Sequence, residues 1–237
     1  REARGDIPAR VGELEDLTIY FASPQELNDP LEGHRETYFK GDLIVWRNLI
    51  KHYTLILFSS AANVYSAGGD GIITRVNIRP EDFTGAPHQA LSRIFEKIFL
   101  CQPITDYIES LAHSEREVSR LELSVHLTTL HFIILISILE EMAQHMEIDD
   151  IPRLKLLSVS FLEHVSLRSR EIKKEGSTPD ITSYINLKSK IKQQSLRAYA
   201  ARTTDVSKGW LRLFTNFPDE FCQHIDYLIY PHWYVAC

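Results

Sequence analysis

Cysteine is scarce in this sequence, and the spacing of the few present argues against two common roles. Cys101, Cys222 and Cys237 are an odd number, lie far apart and include no CxxC pair. This argues against a disulfide framework and against a thiolate zinc site, and it favours a reducing compartment. The chain starts at Arg1 rather than at a methionine and shows no signal-peptide pattern. We therefore expect a fragment of a cytoplasmic protein.

The motifs of well-understood enzymes are also missing. The sequence contains no HExxH, no GxSxG and no Cys/His signature, and its SAGGDG segment (66–71) lacks the GK[ST] of a P-loop. His126 and His131 are five residues apart, which turns them about 140° from each other on a helix, whereas ligands that share a face are three or four apart. We interpret both as core histidines.

One long apolar run is present, from Leu123 to Leu139. Its 17 residues include two His, two Ser and two Thr, and Glu122 and Glu140 bound it. A membrane-spanning helix needs about 20 largely apolar residues. A shorter helix that is apolar on all sides is typical of the centre of a helical bundle. We favour a buried core helix over a membrane span.

The overall composition is that of a globular protein, with 44% hydrophobic and 24% charged residues in 237. Short β-branched and aromatic stretches predict strands at Leu17–Ala22, Ile72–Ile78 and the final WYVAC. Asp42 is a predicted cap of a helix that runs to about Phe58. Hydrophobic periodicity then predicts helices at His88–Leu100, Pro103–Ala112, Glu115–Met146, Ile151–Lys174, Pro179–Arg202 and Phe217–Tyr230. The third of these has a predicted capping box, Ser114 with Glu117, and the last is expected to stop at Pro231.

This order of elements predicts a helix-dominated α+β fold. We expect residues 1–86 and 231–237 to form a small strand-containing platform. Residues 87–230 would then be a helical bundle inserted into that platform, or would pack with it as one single domain. The sequence shows no fixed-period repeat of the kind found in solenoids.

Positive charge is concentrated late in the chain. Nine Lys or Arg residues and three acidic residues lie between Arg168 and Arg202, which gives this window a net charge of about +6. Because the whole chain has a net charge of −6, the remainder carries about −12. A basic stripe can bind nucleic acid, a nucleotide or the acidic part of the same protein, or it can simply be a solvated helical face. The candidate anion-binding residues are Lys188, Lys190, Lys192, Arg197 and Arg202.

The segment YFASPQELNDPLEG (20–33) contains the best local candidate for a site. Pro30 pushes Asp29 out of the helical region, and Asn28 can form an Asx-turn. Both constraints would hold Asp29 and Glu32 rigidly at the end of a strand, where site residues often lie. A capped turn without any ligand is the alternative interpretation.

This segment resembles the opening motif of the bacterial domain-of-unknown-function family 2971. The matching positions are Tyr20, Phe21, Ser23, Pro24, Leu27, Asn28, Asp29, Pro30, Leu31 and Glu32. The helix GDLIVWRNLIKHY (41–53) and the terminal PHWYVAC (231–237) resemble a larger variant of the same family. The first strand and the closing Trp-x-His-Tyr motif of the family are not present, so the resemblance implies a chain truncated at both ends.

The resemblance also implies a function. The family's strand motifs look like those of compact ADP-ribosyltransferase folds, which occur in bacterial toxin and phage-defence settings. In that picture Tyr20, Ser23 and Asn28 bind the substrate, NAD or a nucleotide. Asp29 and Glu32 are then the catalytic carboxylates, which stabilise an oxocarbenium-like centre.

The competing expectation is a non-catalytic interaction or sensor module. Its basic stripe would dock a protein, a second copy of the chain or a nucleic acid, and no membrane is expected as a partner. An enzyme should place the 20–32 turn in a pocket. An interaction module should instead carry a broad exposed apolar or basic face.

Overall fold

The structure, a computed structural model, describes residues 38–68, 78–145, 151–174, 181–202 and 208–232. The chain divides into two compact units, Arg1–Thr37 and Tyr38–Cys237, and all described residues belong to the second. Helices dominate this unit, as the sequence predicts. The elements are β1 (Tyr38–Phe39), α1 (Leu43–Ser66), α2 (Ala86–Leu100), α3 (Gln102–His113), β2 (Val118–Ser119), α4 (Arg120–Met142), α5 (Ile151–Lys174), α6 (Ile181–Arg202), α7 (Lys208–Thr215) and α8 (Phe217–His232), with a 3₁₀ turn at Pro80–Asp82.

Helix α1 begins at the predicted cap and extends beyond its predicted end. The Asp42 carboxylate accepts a hydrogen bond from the backbone N–H of Val45 at 3.0 Å, which is the usual role of an N-cap aspartate. The helix continues to Ser66 because residues 59–65 contain neither glycine nor proline. It stops before Gly68, whose φ of 65° is the left-handed conformation that commonly follows a helix.

The start of α4 corrects the sequence prediction. Ser114 does not cap this helix; its hydroxyl donates to the Leu111 carbonyl at the end of α3. The backbone turns at Glu115, which has a φ of 47°. Residues Val118–Ser119 then pair antiparallel with Tyr38–Phe39, and the Ser119 hydroxyl accepts from the Glu122 N–H. The predicted capping box of Ser114 and Glu117 is therefore wrong, and the helix begins five residues later.

Helix α4 lies at the centre of the described unit. It contacts α1, α2, α5, α6 and α8, and every residue from Leu123 to Leu139 is buried. Its hydroxyl groups bond to backbone carbonyls four residues earlier, as Thr128 and Thr129 do, so polar side chains are tolerated inside an apolar core. The helix is long and apolar enough to cross a membrane, but other helices cover almost all of that stretch. These surroundings agree with the core-helix interpretation.

The later helices follow the prediction with three differences. Helix α5 matches to the residue, and α6 begins two residues after the predicted Pro179. The short α7 was not predicted, because eight residues are too few for a clear periodicity. Helix α8 includes Pro231 and ends at His232 rather than at Tyr230. A proline there removes only one backbone hydrogen bond from a turn that is already ending.

Helix α1 shares the core with the helices of residues 87–230. It contacts α2, α3, α4 and α7, and Trp46, Ile50 and Tyr53 are almost completely buried. Of the predicted strands, 17–22 and 233–237 lie outside the described residues, and of 72–78 only Ile78 is described, outside any strand. The coarse fold is thus a helical body with one two-stranded antiparallel sheet in its described part.

Candidate functional site

The predicted transferase residues cannot be placed by the structure. Tyr20, Ser23, Asn28, Asp29 and Glu32 all lie outside the described residues. Their proposed roles stay predictions. The predicted basic residues of α6 are described by the structure, apart from the side chain of Arg202.

Two of the predicted anion-binding lysines face a carboxylate of the same chain. Lys188 and Lys192 both bond to Asp219 of α8, with Lys192 Nζ 2.5 Å from Oδ2. Burial raises the pKa of Asp219, but the hydrogen bonds from the two lysines and from Ser124 outweigh it, so the pKa is lowered. Asp219 is therefore an anion that pairs with both lysines and offsets one of their two positive charges.

The other basic residues point to solvent. Lys190 and Arg197 are exposed, and the side chain of Arg202 lies outside the described part. On α5, three further cations are exposed besides Lys155, which pairs with Glu140: Arg170, Lys173 and Lys174. Within the described ranges, none of these five exposed cations forms an ion pair, whereas Arg168 pairs with Glu171.

Exposed aliphatic side chains accompany these cations. Leu156 is 77% exposed, and four more aliphatic side chains on the same two helices are about half exposed: Val159, Leu167, Ile185 and Leu196. We call the exposed aliphatics of α5 (Leu156, Val159 and Leu167) and the five exposed cations the outer face of α5 and α6. Ile185 and Leu196 lie about 100–140° round α6 from Lys190 and Arg197 and are not part of it. Single exposed aliphatics are ordinary, but several together on one helix indicate a surface for another molecule.

The two helices are antiparallel neighbours. The guanidinium of Arg168 lies 4.9 Å from the centre of the Tyr184 ring. Further along, burial lowers the pKa of His164, and the positive charge of Lys190 lowers it more. Arg168 interacts with Tyr184, and the earlier His164 interacts with the later Lys190, which is the order expected of two antiparallel helices.

A buried polar cluster surrounds Glu122 at the start of α4. The carboxylate accepts from Arg116, from the Tyr184 hydroxyl at 3.2 Å and from His126 Nε2 at 3.3 Å. The Tyr107 hydroxyl donates to His126 Nδ1 at 2.7 Å. Burial raises the pKa of Glu122, but His126 and Arg116 outweigh it and lower the pKa. Glu122 is therefore a carboxylate, and the hydrogen of neutral His126 lies on Nε2.

His131 has a matching arrangement on another side of α4. Its Nδ1 accepts from the Tyr53 hydroxyl at 2.7 Å, and its Nε2 donates to the Leu213 carbonyl at 2.6 Å. Burial lowers its pKa to about 4, so it is neutral at physiological pH. Because both ring nitrogens of each histidine bind groups of the protein itself, we assign both to the core, as predicted.

Metal binding finds no support in the described part of the chain, where no three His, Cys, Asp or Glu side chains are grouped as ligands. No protein-family model, curated protein or solved structure matches this chain. The resemblance to family 2971 therefore stays a prediction carried by the 20–33 motif.

The aliphatic half of the outer face was not predicted from the sequence. A signal was present: Leu156 and Leu167 are 11 residues apart. Eleven residues are about three helical turns, which returns a side chain to the same side. It was overlooked because the inward positions of the same helices have the same periodicity.

Proposed function

We propose that the described helical body is a binding module that docks an acidic protein partner on the outer face of α5 and α6. One observation carries the proposal. Asp219 pairs with Lys188 and Lys192, whereas Lys190 and Arg197 of α6 stay exposed and the neighbouring α5 carries the exposed Leu156, Val159 and Leu167. A surface with free positive charge and uncovered apolar area favours an anionic macromolecule that also offers apolar area.

The chemistry of the outer face favours a protein over a nucleic acid. Proteins bind single-stranded nucleic acid with cations and with aromatic side chains on which bases stack. The aromatic residues of α5 and α6, Phe161, Tyr184 and Tyr199, are all buried. The exposed apolar residues are aliphatic, and these gain most from burial against apolar side chains of another protein.

Binding of fluorescein-labelled poly-L-glutamate tests the proposal. We expect a fluorescence anisotropy increase at low salt that the double variant Lys190→Glu, Arg197→Glu weakens by about tenfold or more. The control is Lys40→Glu, Arg79→Glu, which changes the charge equally at two exposed sites that are not on α5 or α6. An equal loss of affinity in the two double variants, or no binding of poly-L-glutamate by the unaltered chain, would overturn the proposal.

A single-stranded oligonucleotide of about 20 nucleotides serves as the competing probe. Tighter binding of this probe than of poly-L-glutamate, with the same dependence on Lys190 and Arg197, would replace the protein partner by a nucleic acid.

The 20–33 motif supports a second candidate function, ADP-ribosyl or related glycosyl transfer from NAD. Asp29 and Glu32 would then stabilise positive charge on the ribose. Calorimetric titration of the chain with NAD should give heat that Asp29→Asn, Glu32→Gln abolishes and that Glu163→Gln, an exposed carboxylate on α5, leaves intact. No heat of binding with the unaltered chain would reject NAD as its ligand.

A further inference from the structure

We infer that His164 of α5 couples docking on the outer face to proton uptake. Its ring is neutral in the free chain and gains a proton when the acidic partner binds, so that binding tightens as the pH falls. This inference rests on the proposed function and adds its regulation. It follows from the position of the ring at the edge of the outer face, from the charges around it and from its buried, unpaired nitrogen.

His164 lies at the edge of the outer face. The exposed Leu167 follows it by three residues, which is nearly one turn along α5 and about 60° round it. The ring is half-buried, and its Nε2 atom is buried without a hydrogen-bond partner among the described groups. The ring is therefore near enough to the docking surface to respond to its charge, and no hydrogen bond at Nε2 fixes its protonation state.

The charges around the ring come from both helices. Arg168 follows His164 by four residues on the same side of α5, and its guanidinium lies 4.9 Å from the centre of the Tyr184 ring on α6. The Glu171 carboxylate lies 2.6 Å from that guanidinium, so these two charges largely offset each other. Lys190 of α6 is exposed and, within the described ranges, forms no ion pair. Its charge is therefore the uncompensated one that acts on His164.

These charges and burial decide the state of the free ring. Burial lowers the pKa of His164 most, and the charge of Lys190 lowers it further; Arg168 acts in the same direction and Glu171 in the opposite one. Helices α3 and α4 also pack against α5, but none of their described charged groups is among those that shift this pKa. The ring is therefore neutral near pH 7.

Docking changes this balance at Lys190. A carboxylate of the partner that pairs with the Lys190 ammonium offsets its charge and brings negative charge toward the ring, and both effects raise the pKa of His164. A ligand that raises a pKa binds more tightly to the protonated protein. The gain in affinity is absent well above the pKa of the ring in the complex and complete below its lower pKa in the free chain. A rise of one pKa unit corresponds to a full gain of about tenfold.

Anisotropy titrations of rhodamine-labelled poly-L-glutamate at pH 7.5, 6.5 and 5.5, at constant ionic strength, test the inference. We expect the affinity of the unaltered chain to rise between pH 7.5 and 5.5 by a factor about threefold or more larger than that of His164→Gln. The carboxyl groups of the probe titrate equally in both series, so the difference isolates the ring. Circular dichroism at each pH shows that both proteins are folded.

The matched control is His88→Gln. It removes an exposed imidazole that is not on α5 or α6, and it should keep the pH dependence of the unaltered chain.

A second measurement follows the ring directly. The NMR signal of the His164 Cε1–H group, assigned by its absence from His164→Gln, gives the pKa with and without poly-L-glutamate. We expect binding to raise this pKa by about half a unit or more. Lys190→Gln should raise the pKa in the free chain and reduce the further rise on binding, because the charge that docking offsets is already gone.

The outcomes separate the inference from the proposed function. Equal pH dependence in the unaltered chain and His164→Gln, or an unchanged pKa of His164 on binding, would overturn the inference and leave the docking surface standing. Equal loss of the pH dependence in His88→Gln would assign it to total charge rather than to this ring, and would also overturn the inference. Failure of poly-L-glutamate to bind at every pH would reject the proposed function and the inference together.

Discussion

At the scale of single residues, the two histidines of α4 show how the core accommodates polar groups. Each accepts a hydrogen bond from a tyrosine hydroxyl at Nδ1 and places Nε2 against an oxygen. Because a five-residue separation turns them about 140° apart, His126 meets Tyr107 of α3 and His131 meets Tyr53 of α1. One helix is thereby tied to two neighbours by directional bonds that apolar packing does not supply.

We expect stability to fall as the pH drops from 7.5 to 5.0. The pKa of His131 is lowered to about 4, and that of His126 is also lowered by burial. Below about pH 6.5 the unfolded chain takes up protons that the folded chain does not. Each of the two histidines therefore lowers the free energy of unfolding by up to about 1.4 kcal/mol for each pH unit of acidification. Urea unfolding at several pH values measures the slope.

The variant His131→Gln should reduce this slope, whereas His145→Gln, at an exposed position, should leave it unchanged. An unaltered slope in the first variant would contradict the assignment of His131 as a buried neutral base.

A second prediction concerns Asp219. Asp219→Asn should lower the free energy of unfolding by about 1–3 kcal/mol, because Lys188 and Lys192 lose their counter-charge in a partly buried setting. Glu220→Gln is the control: it breaks an ion pair with Arg212, whose side chain is 44% exposed, and should cost about 1 kcal/mol or less. Similar losses in both variants would mean that Asp219 has no special role.

At the scale of elements, the sequence predicted most helices but not every boundary. Asp42 at the start of α1 and the span of α5 could be read from capping and periodicity. The start of α4 could not, because two Ser-x-x-Glu patterns lie just before it, at Ser114 and at Ser119. The choice between them depends on pairing with Tyr38–Phe39, a contact that local sequence does not contain.

The two serines provide the test of this boundary. Ser119→Ala should lower the free energy of unfolding by about 1 kcal/mol, since the Glu122 N–H loses its capping oxygen. Ser114→Ala should cost less, because Ser114 only bonds to a carbonyl at the end of α3. Urea unfolding of the two single variants compares them directly, and a larger effect at Ser114 would favour the sequence-based boundary.

At the scale of the whole molecule, the burial of α4 was predictable and the candidate surface was only half predictable. The run Leu123–Leu139 is apolar on all sides, which leaves the core as its place in a helical body. The excess of charge on α6 was visible as well. The sequence could not show that Asp219 pairs with Lys188 and Lys192 but not with Lys190, because that depends on how α8 packs beside α6.

A pair of leucine variants tests this division between core and surface. Leu130→Ala on α4 should lower the free energy of unfolding by about 2–5 kcal/mol, because a completely buried side chain leaves a cavity. Leu156→Ala should change it by no more than about 0.5 kcal/mol, since the side chain is 77% exposed. Both values come from urea unfolding near neutral pH, and a large loss at Leu156 would show that it belongs to the core.

The central position of α4 also bears on how the protein is made. Three of the helices that cover it, α5, α6 and α8, come after it in the chain. A ribosome that has just completed α4 must still add the residues up to Ile225, which takes about 4 to 17 seconds at usual elongation rates. During that interval the nascent chain presents an apolar segment long enough to enter a membrane or to aggregate. The protein's need for chaperones is therefore expected to be greatest before α8 is translated.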